Sequence, residues 1–378
     1  MITGTRLKIG ITGYPVPGGS GVVAAELGRL LAKRGHEIHF IAYAPPFRTS
    51  VFDEKLFFHE VDAARYPLFK YPPYTLTLAA KMAEVSRQFE LDILHVHYAL
   101  PHATAGFLAK SIIGNSERPK LITTLHGTDI TLVGSDKSLY DITCFSIRSS
   151  DSVTSVSEYL NQATRETFPE CSNTEVIPNF VDLTVFHPGT NDKQRARFAE
   201  EDEILLVHLS NFRPLKRPVD TVRVLAAVNE KRPARLLLIG DGPEMAEVWQ
   251  EAERLNLRGR LHVLSNQNHL QELLACCDVF LLPSEEESFG LAALEALACG
   301  VPVVSYDVAA LDELIINGDN GYRVPLGDIN AMANKVLELV LDSEFRSRHR
   351  KQARESALRF DADRIIPMYE ALYWRTMI

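Results

Sequence analysis

The chain has 378 residues, of which 46% are hydrophobic and 24% charged, with a formal net charge of −9. This length exceeds what a single hydrophobic core usually serves, so two globular domains are expected. The acidic balance argues against a nucleic-acid-binding protein, because such a protein needs a cationic face to neutralise phosphates.

Five cysteines are scattered along the sequence without a metal-ligand spacing such as Cys-x-x-Cys, which predicts buried thiols. The sequence contains neither an apolar segment near its N-terminus nor a run of about 18 apolar residues elsewhere. We therefore expect a cytoplasmic protein with no membrane partner. Homo-oligomer formation stays open.

Short apolar runs alternate with amphipathic stretches, a pattern typical of βα units around a parallel sheet. The strands predicted in the first half cover residues 7–12, 37–42, 92–97, 120–125, 152–156 and 175–177. A Pro-, Gly- and Asn-containing passage at 186–192, followed by the charged stretch 193–203, predicts a hinge. A second series of strands is predicted at residues 204–210, 234–240, 260–265, 278–282 and 302–306.

This order predicts an α/β fold of two doubly wound, Rossmann-like domains, the first at residues 1–182 and the second at 183–360. Ligands of such sheets bind at the carboxyl ends of the strands, where we expect the two domains to face a cleft. Residues 361–378 have the apolar spacing of a helix. This helix either caps the second domain or crosses back to the first.

The most informative segment, residues 282–300, runs from a predicted buried strand through an acidic turn into a helix. Ser288 and Gly290 lie near the start of that helix, where free backbone N–H groups favour phosphate oxygens. Glu287 and Glu295 are about 12 Å apart along a helix, so one can bind sugar hydroxyls and the other ribose hydroxyls. The alternative is a solvated acidic turn, which we prefer for the two glutamates before Glu287.

A basic turn, residues 210–217, follows the first predicted strand of the second domain. Arg213 and Lys216 lie where cations can neutralise a diphosphate and the charge that grows on it as a glycosidic bond breaks. A solvated basic turn is the alternative, but the neighbouring phosphate-binding helix start favours the functional interpretation. Because no Asp-x-Asp cluster ends a strand, we expect no metal in this site.

The glycine-rich segment 18–21 opens a helix after the first predicted strand. It fits the dinucleotide-binding pattern only superficially. Residues 13–18 make the preceding turn too long for a dehydrogenase, and the second strand does not end in an acidic residue that could hold a ribose. A flexible loop that closes over a phosphate or an acceptor suits the sequence better.

Histidines follow two further predicted strands. His126 lies at the end of the strand 120–125, although a lone histidine is more often a structural hydrogen-bonding group than a catalyst. The histidines at 95, 97 and 102 are weaker candidates, and of this segment His97 and Tyr98 are the residues expected to point into the cleft.

Together these segments resemble the retaining glycosyltransferases of family 4, which have the GT-B fold, over nearly the whole chain. Residues 10–12, 14–15, 18–21, 35–40, 70–74, 95–102 and 125–131 resemble a particular branch of that family. Enzymes of this branch transfer N-acetylglucosamine from UDP-N-acetylglucosamine to L-malate, the first step of bacillithiol biosynthesis. The resemblance implies that the first domain binds the acceptor and the second the nucleotide sugar, with UDP-N-acetylglucosamine as co-substrate and no cofactor.

The resemblance also implies roles for individual residues. The catalytic residues would be His126, Arg213, Lys216 and Glu287. The donor-binding residues would be Gly19, Ser20, Asn211, Ser288, Phe289, Gly290, Leu291 and Glu295, and the acceptor-binding residues Tyr98, Thr124 and Arg148. The family pattern has an arginine where this chain has Cys144, and Arg148, one helical turn on, is the candidate to replace its charge.

Two alternatives stay open. A glycosyltransferase of the same fold could act on another small hydroxylated acceptor. A non-catalytic nucleotide-sugar-binding protein would keep the ribose and phosphate contacts and would need no acceptor pocket.

Overall fold

A computed structural model describes residues 6–16, 18–47, 54–62, 70–114, 117–131, 136–171, 173–189, 192–267 and 269–378. The chain divides into two compact units. The N-terminal unit comprises Met1–Asn179 and Asp363–Ile378, and the C-terminal unit comprises Phe180–Ala362. The boundaries lie at 179/180 and 362/363, where the sequence predicted 182/183 and 360/361.

In its described residues the N-terminal unit has a parallel seven-stranded sheet of order β3-β2-β1-β4-β5-β6-β7. Its strands are β1 Lys8–Thr12, β2 Glu37–Ala42, β3 Leu56–Glu60, β4 Ile93–His97, β5 Lys120–Leu125, β6 Ser152–Ser155 and β7 Thr174–Val176. Every residue of β4 is buried, as expected for a central strand of a parallel sheet. The sequence missed β3, an edge strand with Phe57 and Phe58 more than a third exposed.

The helices before the boundary at 179/180 are α1 Gly19–Lys33, α2 Tyr74–Phe89, α3 Thr104–Ile113, α4 Thr128–Thr131, α5 Tyr140–Arg148 and α6 Glu158–Thr167. A π-helical turn, Ala99–Ala103, precedes α3, and a 3-10 turn, Pro169–Cys171, follows α6. The hydroxyl of Ser157 accepts a hydrogen bond from the backbone N–H of Leu160 and so caps α6.

In the C-terminal unit the strands form a parallel six-stranded sheet of order β10-β9-β8-β11-β12-β13. They are β8 Ile204–Leu209, β9 Ala234–Ile239, β10 Leu261–Leu264, β11 Val279–Leu282, β12 Val303–Tyr306 and β13 Gly321–Val324. The sequence missed β13, a second edge strand.

The α-helices of this unit are α7 Asp192–Arg195, α8 Pro218–Asn229, α9 Met245–Arg254, α10 Leu270–Ala275, α11 Leu291–Ala298, α12 Ile329–Val340 and α13 Ser343–Ala357. Short 3-10 turns lie at Pro214–Lys216, Arg258–Arg260, Ala309–Leu311 and Leu358–Phe360. Among the helices of the described ranges, none is long and apolar enough to cross a membrane. The cytoplasmic location stays a prediction.

The last helix, α14 (Ala362–Met377), packs into the N-terminal unit. Tyr373, which is fully buried, forms a hydrogen bond through its hydroxyl with Nδ1 of His95 at 2.8 Å. Glu370 accepts two hydrogen bonds from the guanidinium of Arg34, at 2.9 and 2.8 Å. Of the two placements that the sequence left open, the structure therefore has the one in which this helix crosses back.

We expect Tyr373→Phe to lower the free energy of unfolding by about 1–3 kcal/mol, because it leaves Nδ1 of the buried His95 without its partner. Urea unfolding measures the change. Tyr71→Phe is the control, since Tyr71 is 73% exposed and should change stability by less than about 0.5 kcal/mol. Equal stability of Tyr373→Phe and the wild type would show that the hydrogen bond between Tyr373 and His95 adds nothing to the free energy of unfolding.

Candidate active site

Two turns of the C-terminal unit lie side by side because they follow neighbouring strands. The turn at 210–217 follows β8, the turn at 283–290 follows β11, and these strands pair in parallel. The backbone N–H of Glu285 donates to the carbonyl of Leu215 at 2.8 Å. Residues that the sequence predicted separately as diphosphate and sugar ligands are therefore neighbours.

An ion pair joins the two turns. Nζ of Lys216 lies 2.6 Å from Oε1 of Glu287, and both side chains are largely shielded from solvent, with 17% and 11% exposed. The hydroxyl of Ser284 donates to the same oxygen at 2.8 Å. Lys216 and Glu287, two of the four predicted catalytic residues, thus neutralise each other. Their spacing in the sequence does not reveal this contact.

Arg217 and Asp220 hold this arrangement from the side. Arg217 has a left-handed backbone with φ +46°, and its guanidinium bonds Asp220 and Glu285, each at 2.6 Å. Asp220 is buried and also accepts a hydrogen bond from the hydroxyl of Tyr306 at 2.8 Å. This network was not predicted from the sequence, where the spacing Arg-Pro-x-Asp at the start of α8 is its only local signal.

His208, at the end of β8, is another residue that the sequence analysis missed. Its ring is fully buried, and Nδ1 donates to the carbonyl of Leu281 at 2.9 Å. The hydroxyl of Ser210 therefore donates to Nε2 at 2.8 Å, and the same hydroxyl accepts the backbone N–H of Phe212. Burial is the main cause that lowers the pKa of His208 to about 4, and nearby Lys216 adds to it.

A glycine turn after β9 closes against the basic turn. A Cβ on Gly240 would lie 1.9 Å from the carbonyl oxygen of Ser210, and one on Gly242 would lie 2.1 Å from that of Asn211. No side chain fits at either position. Oδ1 of Asn211 accepts a hydrogen bond from Nε of Arg213 at 3.3 Å, and Arg213 is exposed.

The helix start predicted at Gly290 is present, since α11 begins at Leu291. Gly290 has φ +89°, a conformation that favours glycine, and Ser288 just before it is partly exposed. Phe289 is 2% exposed and packs edge-to-face on Phe360, so its side chain belongs to the core and only its backbone can reach a ligand. Glu295 is 4% exposed on the second turn of α11.

In the N-terminal unit, the glycine loop and Tyr98 come together. Gly19 and Ser20 form the first residues of α1, and the hydroxyl of Tyr98 donates to Oγ of Ser20 at 2.8 Å. The ring of Tyr98 lies 5.2 Å from that of His126. Three predicted ligands therefore share one end of the sheet.

Buried histidines line the same end of the sheet. Nε2 of His126 lies 2.8 Å from Nδ1 of His97, and burial lowers the pKa of His126 to about 3. This environment favours a neutral imidazole, and the predicted contact of His126 with a sugar stays a prediction. The hydroxyl of Thr124 lies between Nε2 of His95 and the hydroxyl of Thr154, at 2.8 and 2.7 Å. It is fully buried, and its predicted contact with an acceptor stays a prediction.

The contact that Arg148 forms is with a residue outside this cluster. It is exposed, and its guanidinium pairs with Glu170 at 3.1 Å. Cys144, one turn earlier, is buried with its sulfur 3.1 Å from that of Cys171. All five cysteines are buried free thiols, as predicted. The predicted contact of Arg148 with an acceptor gains no support from these partners and also stays a prediction.

The described parts of the chain contain no group of three or more His, Cys, Asp or Glu side chains arranged to hold a metal ion.

Comparisons with known proteins agree with this architecture. Residues 17–185 match the family described as Glycosyltransferase Family 4, and residues 190–356 match Glycosyl transferases group 1. The chain belongs to these family 4 glycosyltransferases and has the GT-B fold. Solved structures that resemble it include sucrose-phosphate synthase from Thermosynechococcus elongatus, with a TM-score of 0.80 and 22% identity over 98% of this chain and 99% of that one. Anabaena Alr3699/HepE in complex with UDP-glucose gives a TM-score of 0.79 and 22% identity over 97% and 99% of the two chains.

Curated relatives are more specific. The chain is 45% identical over 371 residues to N-acetyl-alpha-D-glucosaminyl L-malate synthase of Bacillus anthracis, which covers 98% of this chain and 97% of that protein. A D-inositol 3-phosphate glycosyltransferase of Mycolicibacterium smegmatis is 34% identical over 54% of this chain and 48% of its own.

The buried histidines predict a loss of stability in acid. Burial lowers the folded-state pKa of His95, His102, His126 and His208 to about 3, 4, 3 and 4. The unfolded chain binds protons at these residues below about pH 6.5, so the free energy of unfolding should be highest above that pH and fall between about pH 6.5 and 4. Thermal unfolding over this range measures it.

His208→Asn keeps a donor for Leu281 and removes one of these titrating groups. We expect this variant to lose less unfolding free energy on acidification than the wild type, by roughly 3 kcal/mol at most. This is the part that comes from the lowered pKa of His208. His187→Asn, at an exposed position, is the control and should leave the slope unchanged. A wild-type free energy of unfolding that stays level from pH 7 to 4.5 would contradict the lowered pKa values of the buried histidines.

Proposed function

We propose that the protein transfers N-acetylglucosamine from UDP-N-acetylglucosamine to the hydroxyl of L-malate with retention at the anomeric carbon, the first step of bacillithiol biosynthesis. The observation that carries the choice of substrates is the 45% identity, over nearly the whole of both chains, to the N-acetyl-alpha-D-glucosaminyl L-malate synthase of B. anthracis. The geometry of the C-terminal unit supports the chemistry.

The donor is held by groups with distinct tasks. Lys216 and Arg213 neutralise the diphosphate, and the backbone N–H groups at the start of α11 add dipoles that favour phosphate oxygens. Glu295 binds the ribose, and Glu287 binds hydroxyls of the sugar. Because Glu287 also pairs with Lys216, it sets the position of the ammonium group that faces the leaving diphosphate.

In the reaction, the bond between the anomeric carbon and the diphosphate oxygen breaks, and a bond to the malate hydroxyl oxygen forms on the same face. The hydroxyl proton passes to the leaving diphosphate. This route needs no protein nucleophile, no metal and no cofactor. His126 remains neutral in its buried site and acts as a hydrogen-bonding group to the sugar.

The acceptor residues of this proposal are Tyr98, Thr124 and Arg148 of the N-terminal unit. Tyr98 has the clearest support, because its hydroxyl, Ser20 and His126 lie together. The weaker placements of Thr124 and Arg148 leave a transferase for another small hydroxylated acceptor as the second candidate.

Incubation with UDP-N-acetylglucosamine and L-malate should give a product with the mass of N-acetylglucosaminyl malate, and the rate should not change after treatment with a chelator. Mass analysis with malate and other small hydroxy acids in parallel identifies the acceptor. Binding of UDP without transfer to any acceptor would favour a non-catalytic nucleotide-sugar-binding protein. A strict requirement for an added divalent cation would refute the metal-independent site.

Lys216→Ala should lower turnover about a hundredfold or more and change donor affinity much less, because its ammonium stabilises charge that grows in the transition state. Lys216→Arg should recover only part of the rate, since a planar guanidinium does not replace a point charge. Steady-state kinetics and direct UDP-sugar binding measure both quantities. The control is Lys231→Ala, whose exposed ammonium bonds Asn334.

A double-mutant cycle with Glu287→Gln separates two roles of Lys216. If the lysine only neutralised Glu287, its removal would cost little turnover once Glu287 carries no charge. We expect the loss to persist in the Glu287→Gln background. Retention of most turnover in Lys216→Ala itself would transfer the electrophilic role to Arg213.

A further inference from the structure

We propose that Asp129 is a positioning residue that fixes Tyr98 and His126 relative to each other, so that Tyr98 holds the acceptor in the orientation that the transfer needs. The inference rests on the proposed function of those two residues. Asp129 itself is 1% exposed and has no role in the predictions from sequence or in the reaction described above.

The carboxylate of Asp129 links two different turns. Oδ2 accepts the backbone N–H of Ala99, in the turn after β4, at 3.1 Å. Oδ1 accepts the backbone N–H groups of His126 and Gly127, in the turn after β5, at 3.2 and 3.0 Å. One oxygen therefore shapes the turn that carries His126, and the other ties that turn to its neighbour.

Only an ionised carboxylate suits this arrangement. Both oxygens face N–H donors, and an amide at the same position has a single acceptor oxygen, so its NH₂ group would meet a backbone N–H. Burial of a charge is costly, and here it raises the pKa of Asp129 to about 6. This is not a helix cap, because the N–H groups of Ala99, His126 and Gly127 all lie outside α4.

The residue next to Ala99 shows what the link holds. Tyr98 has φ +85°, a left-handed conformation that is unfavourable for a residue with a side chain. Its backbone N–H bonds the carbonyl of Thr124 at 2.9 Å, and its hydroxyl bonds Ser20. With Ala99 also anchored to Asp129, the ring of Tyr98 is kept 5.2 Å from that of His126.

Asp129→Asn is the first test. We expect the Michaelis constant for the acceptor to rise about tenfold or more, the effect of losing a hydrogen bond to a charged group. UDP affinity should change by less than about twofold, because the predicted UDP ligands other than Gly19 and Ser20 lie in the C-terminal unit. Asp136→Asn is the matched control, since Asp136 is exposed and caps a turn through the N–H of Ser138.

Asp129→Ser guards against a folding defect in the first variant. Its side chain is shorter than the carboxylate and has a single oxygen, so it cannot accept from both turns at once and removes the link. Both variants are checked by thermal unfolding. A purely structural role predicts a lower stability with an unchanged acceptor Michaelis constant in the folded fraction, and this result would overturn the proposal.

Tyr98→Phe completes the test. If Asp129 acts through Tyr98, the effect of Asp129→Asn on the acceptor Michaelis constant should shrink in the Tyr98→Phe background, and full additivity would contradict the proposal. The wild-type enzyme is assayed alongside. Its failure to transfer to L-malate would refute the proposed function and not the link, which would then be measured with the acceptor that is used.

Discussion

The parallel pairing of β8 with β11 is the constraint on which the candidate site of the C-terminal unit depends. It places the turns at 210–217 and 283–290 side by side, and the backbone bond from Glu285 to Leu215 fixes their separation. Lys216 and Glu287 can then neutralise each other at 2.6 Å in a partly buried setting. Two charges that would each be costly to bury alone thereby offset each other.

The fold was largely predictable because its interior strands are buried on both faces and stand out as apolar runs. Each of the eleven predicted strands is present among the described residues. The two missed strands, β3 and β13, are at sheet edges, and β3 shows why: its side chains are half-exposed, so it lacks the apolar signal. The helix start at Gly290 was predictable from its glycine and its neighbours.

Candidate ligands could be picked out in the sequence, whereas the contacts that support them could not. Lys216 and Glu287 were found as separate motifs, whereas their pairing depends on strand order. The sequence did not single out His208, Asp220 or Asp129, because each forms contacts with residues distant in sequence. For Arg148, helical spacing predicted a position on the face of Cys144. Its guanidinium pairs with Glu170, and its contact with an acceptor stays a prediction.

The placement of α14 makes the C-terminal unit an insertion within the N-terminal one, because the chain crosses the boundary twice. Residues 180–362 are contiguous and can complete their core while the chain is still being synthesised. The N-terminal unit cannot, since Tyr369 and Tyr373 belong to its buried interior and are made after residues 180–362. On the ribosome, the C-terminal unit is therefore able to fold first, and the N-terminal unit is completed only after residues 363–378 emerge.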